Sequence, residues 1–288
     1  MGRNMERTHI WVIGGDQRQS ILAGLLRDDG HRVHTLGLRE EEAEGPDLTG
    51  LGEAHCVILP LPAQQPEGWV YTPQSPFRLS VEQVLEHMQP GQLVCGGLLT
   101  PSFLHQAQAL NLRVIDYYAR EELTLLNAIP TAEGAIQLAM ERMPTTIHNA
   151  RIWILGFGRV GQALAVRLRA LGAKVCILAR NPAQRALARS LGLEAEPIRG
   201  MGEWLHCPHL VVNTVPAPLL GVEELSALRE GAWVMDLASE PGGVDHPAAQ
   251  ALGVPVVWAR GLPGKVAPHT AAEYLKDTVY HIMEELGV

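Results

Sequence analysis

Residues 151–185 contain the residue types whose spacing most directly implies chemistry. Gly156, Gly158 and Gly161 follow the apolar run 151–155 in GxGxxG spacing, and an amphipathic stretch begins directly after them. Gly156 permits a tight turn, Gly158 lets the backbone approach a diphosphate with no side chain in the way, and Gly161 lets a helix lie close on its strand. Phe157, Arg159 and Val160 fill the intervening positions, at a helix N-terminus whose N–H groups and dipole attract an anion. Val160, Leu164, Leu168 and Leu171 share one helical face, and 174–178 reads as the next strand. The pattern predicts a site for a nicotinamide dinucleotide.

The tip of that second strand bears on coenzyme choice. An NAD-selective unit places Asp or Glu there to bind the ribose hydroxyls, whereas this chain has Ala179, Arg180 and Asn181. A carboxylate repels a 2′-phosphate; Arg180 can grip one with a forked contact, helped by Arg185 one helical turn on. The expectation is NADP, with NAD possible; the bland reading of Arg180 is a solvated loop residue. Thr214, Val215 and Pro216 end one later strand, and Leu237, Ala238 and Ser239 follow another. Both segments are expected to line the coenzyme pocket or merely to cap loops.

A second set of residues suits an anionic substrate. Gly14, Gly15 and Asp16 end a strand and open a helix, with Arg18 close by. Asp16 reads three ways: as a base, as an orienting partner for Arg18, or as a helix cap. Thr100 stands in N-cap position before Pro101, and its hydroxyl with that of Ser102 can hold a carboxylate or simply finish a structural helix. Lys265 is one of three lysines, with Lys174 and Lys276, and lies in a glycine-proline segment after the last strand. It is expected to be a carboxylate ligand or proton carrier, or else a surface lysine. His269 can shuttle protons or make a structural contact at a helix start. Arg120 and Glu133 flank the connector, where they either reach the substrate or form a hinge salt bridge.

These residues need a scaffold, and the chain supplies strands alternating with helical stretches. Strands are expected at 9–13, 32–36, 55–59, 93–95 and 113–116 in the first half, and at 210–213, 233–237 and 256–259 after the glycine unit. A helix is expected at 19–27 and another at 131–142, the latter with Thr131 as its cap. Residues 59–76 read as a proline-rich extended loop and 40–52 as an acidic one. The predicted class is α/β: two doubly wound Rossmann-like domains with parallel sheets and a cleft between them. The substrate-side domain is expected over 1–130, joined by a C-terminal helix at 272–288, and the coenzyme domain over 131–271.

Composition narrows the class. Among 288 residues, 23 basic and 31 acidic side chains give a net charge of −8, which disfavours nucleic acid as a partner. The start is polar rather than secretory, no apolar run reaches membrane-span length, and the cytoplasm is the expected compartment. Four separated cysteines read as small core residues. Twelve histidines show no metal spacing, and His206, Cys207 and His209 around Pro208 are read as a loop, so no metal is expected.

The stretches VIGGDQRQ (12–19), YYAREELTLLNAIPTAEGAIQLAME (117–141), ILGFGRVGQALA (154–165), VVNTVPAPLL (211–220), MDLASEPGGVD (235–245) and GLPGKVAPHTA (261–271) resemble the dipicolinate synthase A-subunit family over nearly the whole chain. NAIPTAEGAI together with GLPGKVAPHTA carries the specificity. The resemblance implies an enzyme of the sporulating mother cell that oxidises a dihydrodipicolinate-type intermediate, formed from 4-hydroxy-tetrahydrodipicolinate, to dipicolinate with NAD(P). It also implies the flavoprotein-like B-subunit of dipicolinate synthase as partner. A small-molecule dicarboxylate is the implied substrate, and a homo-oligomer is expected. Two rival readings are a 2-hydroxyacid or amino-acid type dehydrogenase, for which no convincing Arg, acid and His set is present, and a nucleotide-sensing regulatory subunit.

Overall fold

Strands that are apolar along their whole length are buried on both faces, and two runs of this kind nucleate two separate sheets. The computed structural model describes residues 7–38 and 46–288. The chain divides into two units, 1–126 with 267–288 and 127–266. Residues 127–130 thus fall in the second unit and 267–271 in the first. Residues 40–45 of the acidic loop lie outside the described set.

In unit 1 the order is β1 (His9–Ile13), α1 (Gln17–Asp28), β2 (Arg32–Leu36), β3 (Cys56–Ile58), α2 (Val81–Glu86), β4 (Leu93–Gly96), α3 (Pro101–Ala109) and β5 (Arg113–Asp116). The strands form one parallel sheet ordered β2-β1-β3-β4-β5. The chain reverses its direction of winding between β1 and β3, which makes their carboxyl ends the topological switch point. The proline-rich segment after β3 is more ordered than expected: Gln64 pairs with Val70, Trp69 pairs with Ser80, and Ala63 and Val70 are buried.

Helix α4 (Glu121–Arg142) begins ten residues earlier than the expected start at Thr131. Pro130 lies inside it. A proline cannot donate to the carbonyl four residues back, and in a sequence it therefore marks a boundary. Thr131 is no cap; its hydroxyl donates to the Asn127 carbonyl at 2.7 Å, one turn back within the helix.

Unit 2 runs β6 (Arg151–Leu155), α5 (Arg159–Ala170), β7 (Lys174–Ala179), α6 (Pro182–Ser190), β8 (Glu194–Pro197), β9 (Leu210–Asn213), α7 (Val222–Ser226), β10 (Trp233–Asp236), α8 (His246–Ala251), β11 (Val256–Trp258) and α9 (Leu262–Val266). Its six parallel strands are ordered β11-β10-β9-β6-β7-β8, with the switch point between β6 and β9. The buried stripe of α5 is Gly161, Leu164, Ala165 and Leu168. Leu171 departs from its expected face: the helix ends at Ala170, and Leu171 is 42% exposed.

The last helix, α10 (Pro268–Leu286), starts at a proline that has no N–H to satisfy, four residues before the expected 272. Ala272, Leu275, Val279, Ile282 and Met283 repeat at helical spacing and pack with Leu22 and Leu26 of α1 and Ile10 and Val12 of β1. Each large side chain buried there contributes about 1.5–3 kcal/mol. Lys276 and Tyr280 both reach the Asp29 carboxylate at the end of α1, at 2.6 and 2.8 Å, and fix the register of the two helices.

Candidate functional site

The three glycines of unit 2 meet three different local demands. Gly156 has φ +90°, and a β-carbon there would lie 2.7 Å from both the Thr214 hydroxyl oxygen and a Val215 methyl. Gly161 would place its β-carbon 2.6 Å from the Gly156 carbonyl oxygen. Gly158, at φ −82°, has nothing within 4 Å of that position. The first and third glycines are thus required by the fold, while the second faces open space at the N-cap of α5, where no side chain caps the helix. This open cradle at the switch point fits a dinucleotide diphosphate.

Other predicted coenzyme residues divide by position. Phe157 is fully buried in the unit 2 core, so only its backbone is available at the turn. Arg159 and Val160 open α5. Thr214 donates its hydroxyl to the Leu155 carbonyl at 2.8 Å, fastening the β9 loop to the glycine turn, while Pro216 is exposed. Leu237 is half-buried, Ala238 buried and Ser239 exposed after β10. Arg180 follows β7 with its side chain exposed and without a partner among the described residues. Asn181 caps α6 by accepting from the Ala183 amide at 2.8 Å. Arg185 is engaged: its Nη1 donates to the carbonyls of Ala179 and Arg180 at 2.8 and 2.9 Å. It braces the backbone that presents Arg180 and adds positive charge nearby.

In unit 1 the switch point is filled by an ion pair. Asp16 caps α1 in a reciprocal box with Gln19 and takes Arg18 in a forked contact, Nε to Oδ1 at 2.9 Å and Nη2 to Oδ2 at 2.8 Å. Arg18 Nη2 also donates to the Leu61 carbonyl at 3.3 Å, which spans from the β1 loop to the β3 loop. Nη1 has no partner among the described residues. Burial raises the Asp16 pKa, but Arg18 outweighs it and leaves the carboxyl below its ordinary value. Of the three readings of Asp16, the geometry realises the cap and the orienting partner; an ionised, doubly engaged carboxylate is a poor proton acceptor.

Thr100 caps α3 by accepting the Phe103 amide at 3.2 Å, and Ser102 is exposed in the first turn. Arg120 and Glu133 do not form the hinge bridge considered above. Arg120 pairs with Glu122 at 2.9 Å and Glu285 at 2.5 Å, whereas Glu133 faces Arg167 at 3.7 Å. Each of these ion pairs closes within its own unit. Lys265 occupies the last turn of the short helix α9 rather than a loop, exposed and without a partner among the described residues. His269, in the first turn of α10, is exposed with Nδ1 3.5 Å from Glu273. Among the described residues, no group of three His, Cys, Asp or Glu side chains is arranged to hold a metal ion, and no helix is long and apolar enough to cross a membrane.

Residues 9–118 match the family model for the N-terminal domain of the dipicolinate synthase A-subunit, and 127–244 match that for the D-isomer specific 2-hydroxyacid dehydrogenase NAD binding domain. The dipicolinate synthase A-subunit of Bacillus subtilis (strain 168) is 30% identical over 285 residues, 96% of each chain. The chain belongs to the dipicolinate synthase A-subunit family. Crystal structures of that subunit from Bacillus halodurans and Bacillus subtilis superpose with a TM-score of 0.88 each. They are 29% and 28% identical and cover 96% and 98% of this chain, and 97% and 98% of their own. The chain is an oxidoreductase with a Rossmann-type NAD-binding domain, and membership in this family implies a partner subunit.

Unit 2 also contains a polar pair that the motif reading did not assign. Asn213 and Asp236 end β9 and β10, and both are fully buried. Asp236 accepts from Asn213 Nδ2 at 2.8 Å, the Ala238 amide at 2.9 Å and the Gly243 amide at 2.8 Å. Asn213 in turn holds the Val215 amide and carbonyl at 3.1 and 3.0 Å. These bonds tie both loops at the carboxyl edge into one rigid rim. A polar residue closing an otherwise apolar strand, as in VVN and VMD, is the sequence signal that could have found them.

Proposed function

We propose that the chain is the dehydrogenase subunit of a dipicolinate synthase, oxidising a dihydropyridine-2,6-dicarboxylate to dipicolinate with NADP and working with a B-subunit during sporulation. The observation that carries this reading is the likeness, over 96% of the chain, to the Bacillus subtilis dipicolinate synthase A-subunit. The open cradle at Gly158 and the exposed Arg180, without a partner among the described residues, support the coenzyme assignment.

The bound coenzyme supplies a hydride acceptor. The protein's tasks are then orientation and removal of one proton, because the loss of a hydride and a proton from the dihydro ring yields an aromatic product. Arg18, held in place by Asp16 and with Nη1 left over, takes one substrate carboxylate. The Thr100 and Ser102 hydroxyls at the start of α3 are offered to the second. Lys265 serves as carboxylate ligand or proton carrier, with His269 as the alternative proton carrier. Arg120 and Glu133, each engaged in ion pairs, have structural roles. A homo-oligomer, a cytoplasmic setting in the mother cell and a flavoprotein-like partner complete the reading.

The test is to supply the freshly generated condensation product of aspartate semialdehyde and pyruvate, with NADP, to the chain with and without the B-subunit. Reduced coenzyme appearing together with pyridine absorbance is the expected result. Coenzyme binding without oxidation under either condition would favour a nucleotide-sensing role instead. In the active system, Lys265→Met with undiminished turnover and affinity removes Lys265 from the site.

A further inference from the structure

Among the described residues, Leu98 is the one at the carboxyl edge of the unit 1 sheet that combines a left-handed backbone with a large exposed apolar side chain. Its φ is +56°, a conformation disfavoured for any residue with a β-carbon, and its side chain is 51% exposed. Neither feature helps the fold. The turn is nevertheless held firmly: the Asp116 carboxylate accepts the Leu98 amide on Oδ1 at 3.2 Å and the Leu99 amide on Oδ2 at 3.0 Å. The same Oδ1 accepts the Tyr118 amide at 2.8 Å, and Tyr118 is also exposed.

This turn is joined to the switch-point loop that carries the Arg18 contact. Gly97 donates to the Pro60 carbonyl at 3.0 Å and accepts from the Ala63 amide at 2.7 Å, while Leu61 between them takes Arg18 on its carbonyl. Leu98 is therefore exposed at the carboxyl edge of the sheet, next to the loop that Arg18 grips. We propose that Leu98 is the apolar platform for the substrate ring: it lies against the ring face while Arg18 and the Thr100 and Ser102 hydroxyls hold the carboxylates. This deepens, and rests on, the dicarboxylate reading given above. A planar heterocycle with charge only at its edges needs an apolar contact of this kind, because a polar group facing the ring would be desolvated without a partner.

Two variants separate the side chain's role from the backbone's. Leu98→Gly and Leu98→Asn both accept a left-handed conformation at lower cost than leucine, so the fold is kept and the melting temperature does not fall. Calorimetric titration of pyridine-2,6-dicarboxylate into the full chain saturated with NADP is expected to show about tenfold weaker binding for both variants, with coenzyme affinity unchanged. Equal dicarboxylate affinity in wild type and variants overturns the platform while leaving the proposed oxidation intact, since that is read separately by coenzyme reduction. A wild-type chain that does not bind the dicarboxylate overturns both.

Discussion

Gly158→Ala isolates the coenzyme cradle from the fold that surrounds it. Two small effects on stability oppose each other. Alanine is a poorer N-cap than glycine by about 0.5–1 kcal/mol, but it restricts the unfolded chain and returns about 0.4–1 kcal/mol where the native φ suits it. Gly158 has φ −82°, and no atom lies within 4 Å of the point a β-carbon would occupy, so neither strain nor clash adds to the account. The net change in folding free energy is close to zero. The diphosphate, by contrast, must approach the amides that this methyl group would cover. Losing one charge-assisted hydrogen bond costs about 1.5–3 kcal/mol, or roughly 10- to 150-fold in affinity.

Gly156→Ala provides the contrast. Its φ of +90° and the 2.7 Å approach to Thr214 and Val215 impose backbone strain and overpacking together, about 2–5 kcal/mol. Thermal melts without ligand and coenzyme titrations by tryptophan fluorescence separate the two variants. The expected pattern is an unchanged melting temperature with lost affinity at 158, and a lowered melting temperature at 156. Full coenzyme affinity in Gly158→Ala would refute the assignment of the diphosphate to this turn.

Three further outcomes follow from the same geometry. Arg180→Asp replaces an exposed cation by a carboxylate; the ratio of KM for NADP to that for NAD should rise by about 100-fold or more at unchanged stability, and an unmoved ratio excludes Arg180 from selectivity. Asp236→Asn puts an amide N–H against one of three donors already facing the carboxylate, leaving a buried clash of donors that costs about 1–3 kcal/mol; chemical denaturation should show it, and a fully stable variant would contradict the rim argument. Burial holds His9, His31 and His209 below their ordinary 6.5. The unfolded chain therefore binds protons first as pH falls, and stability present above about 6.5 should decline from there through the lower folded values. The paired Asp16 and Asp29 titrate only below 3.8, so they cannot produce a decline that starts near neutrality; a flat profile from pH 8 to about 5 speaks against the histidine contribution.

Much of the scaffold is legible because burial on both faces forces long apolar runs: Ile10 to Ile13 and Ile152 to Leu155 are buried without a break. Strand β8 escapes that logic. It is a sheet edge with only Ala195 buried among Glu194, Glu196 and Pro197, and nothing in its composition distinguishes it from a loop. The coenzyme turn is legible because each glycine answers a local steric demand. The early start of α4 is not, because Pro130 signals a break that the surrounding helix overrides. Leu98 is hidden for a different reason. Its left-handed turn is held by a carboxylate 18 residues away, and leucine itself carries no mark of that conformation.

The two switch points show how one topology serves two anion chemistries. In unit 2 the chain clears side chains from the turn, with Gly158 facing open space and an uncapped helix start, which suits a diphosphate met by backbone amides. In unit 1 the equivalent turn is occupied: Asp16 caps the helix and takes Arg18 through Nε and Nη2, leaving Nη1 without a partner among the described residues. A carboxylate is met by a fixed side-chain donor rather than a cradle, and a guanidinium already held by a carboxylate loses little rotamer entropy when its remaining Nη1 binds one. Under the proposed function, the side chains that make each turn unsuitable for the other ligand are the ones that select its own.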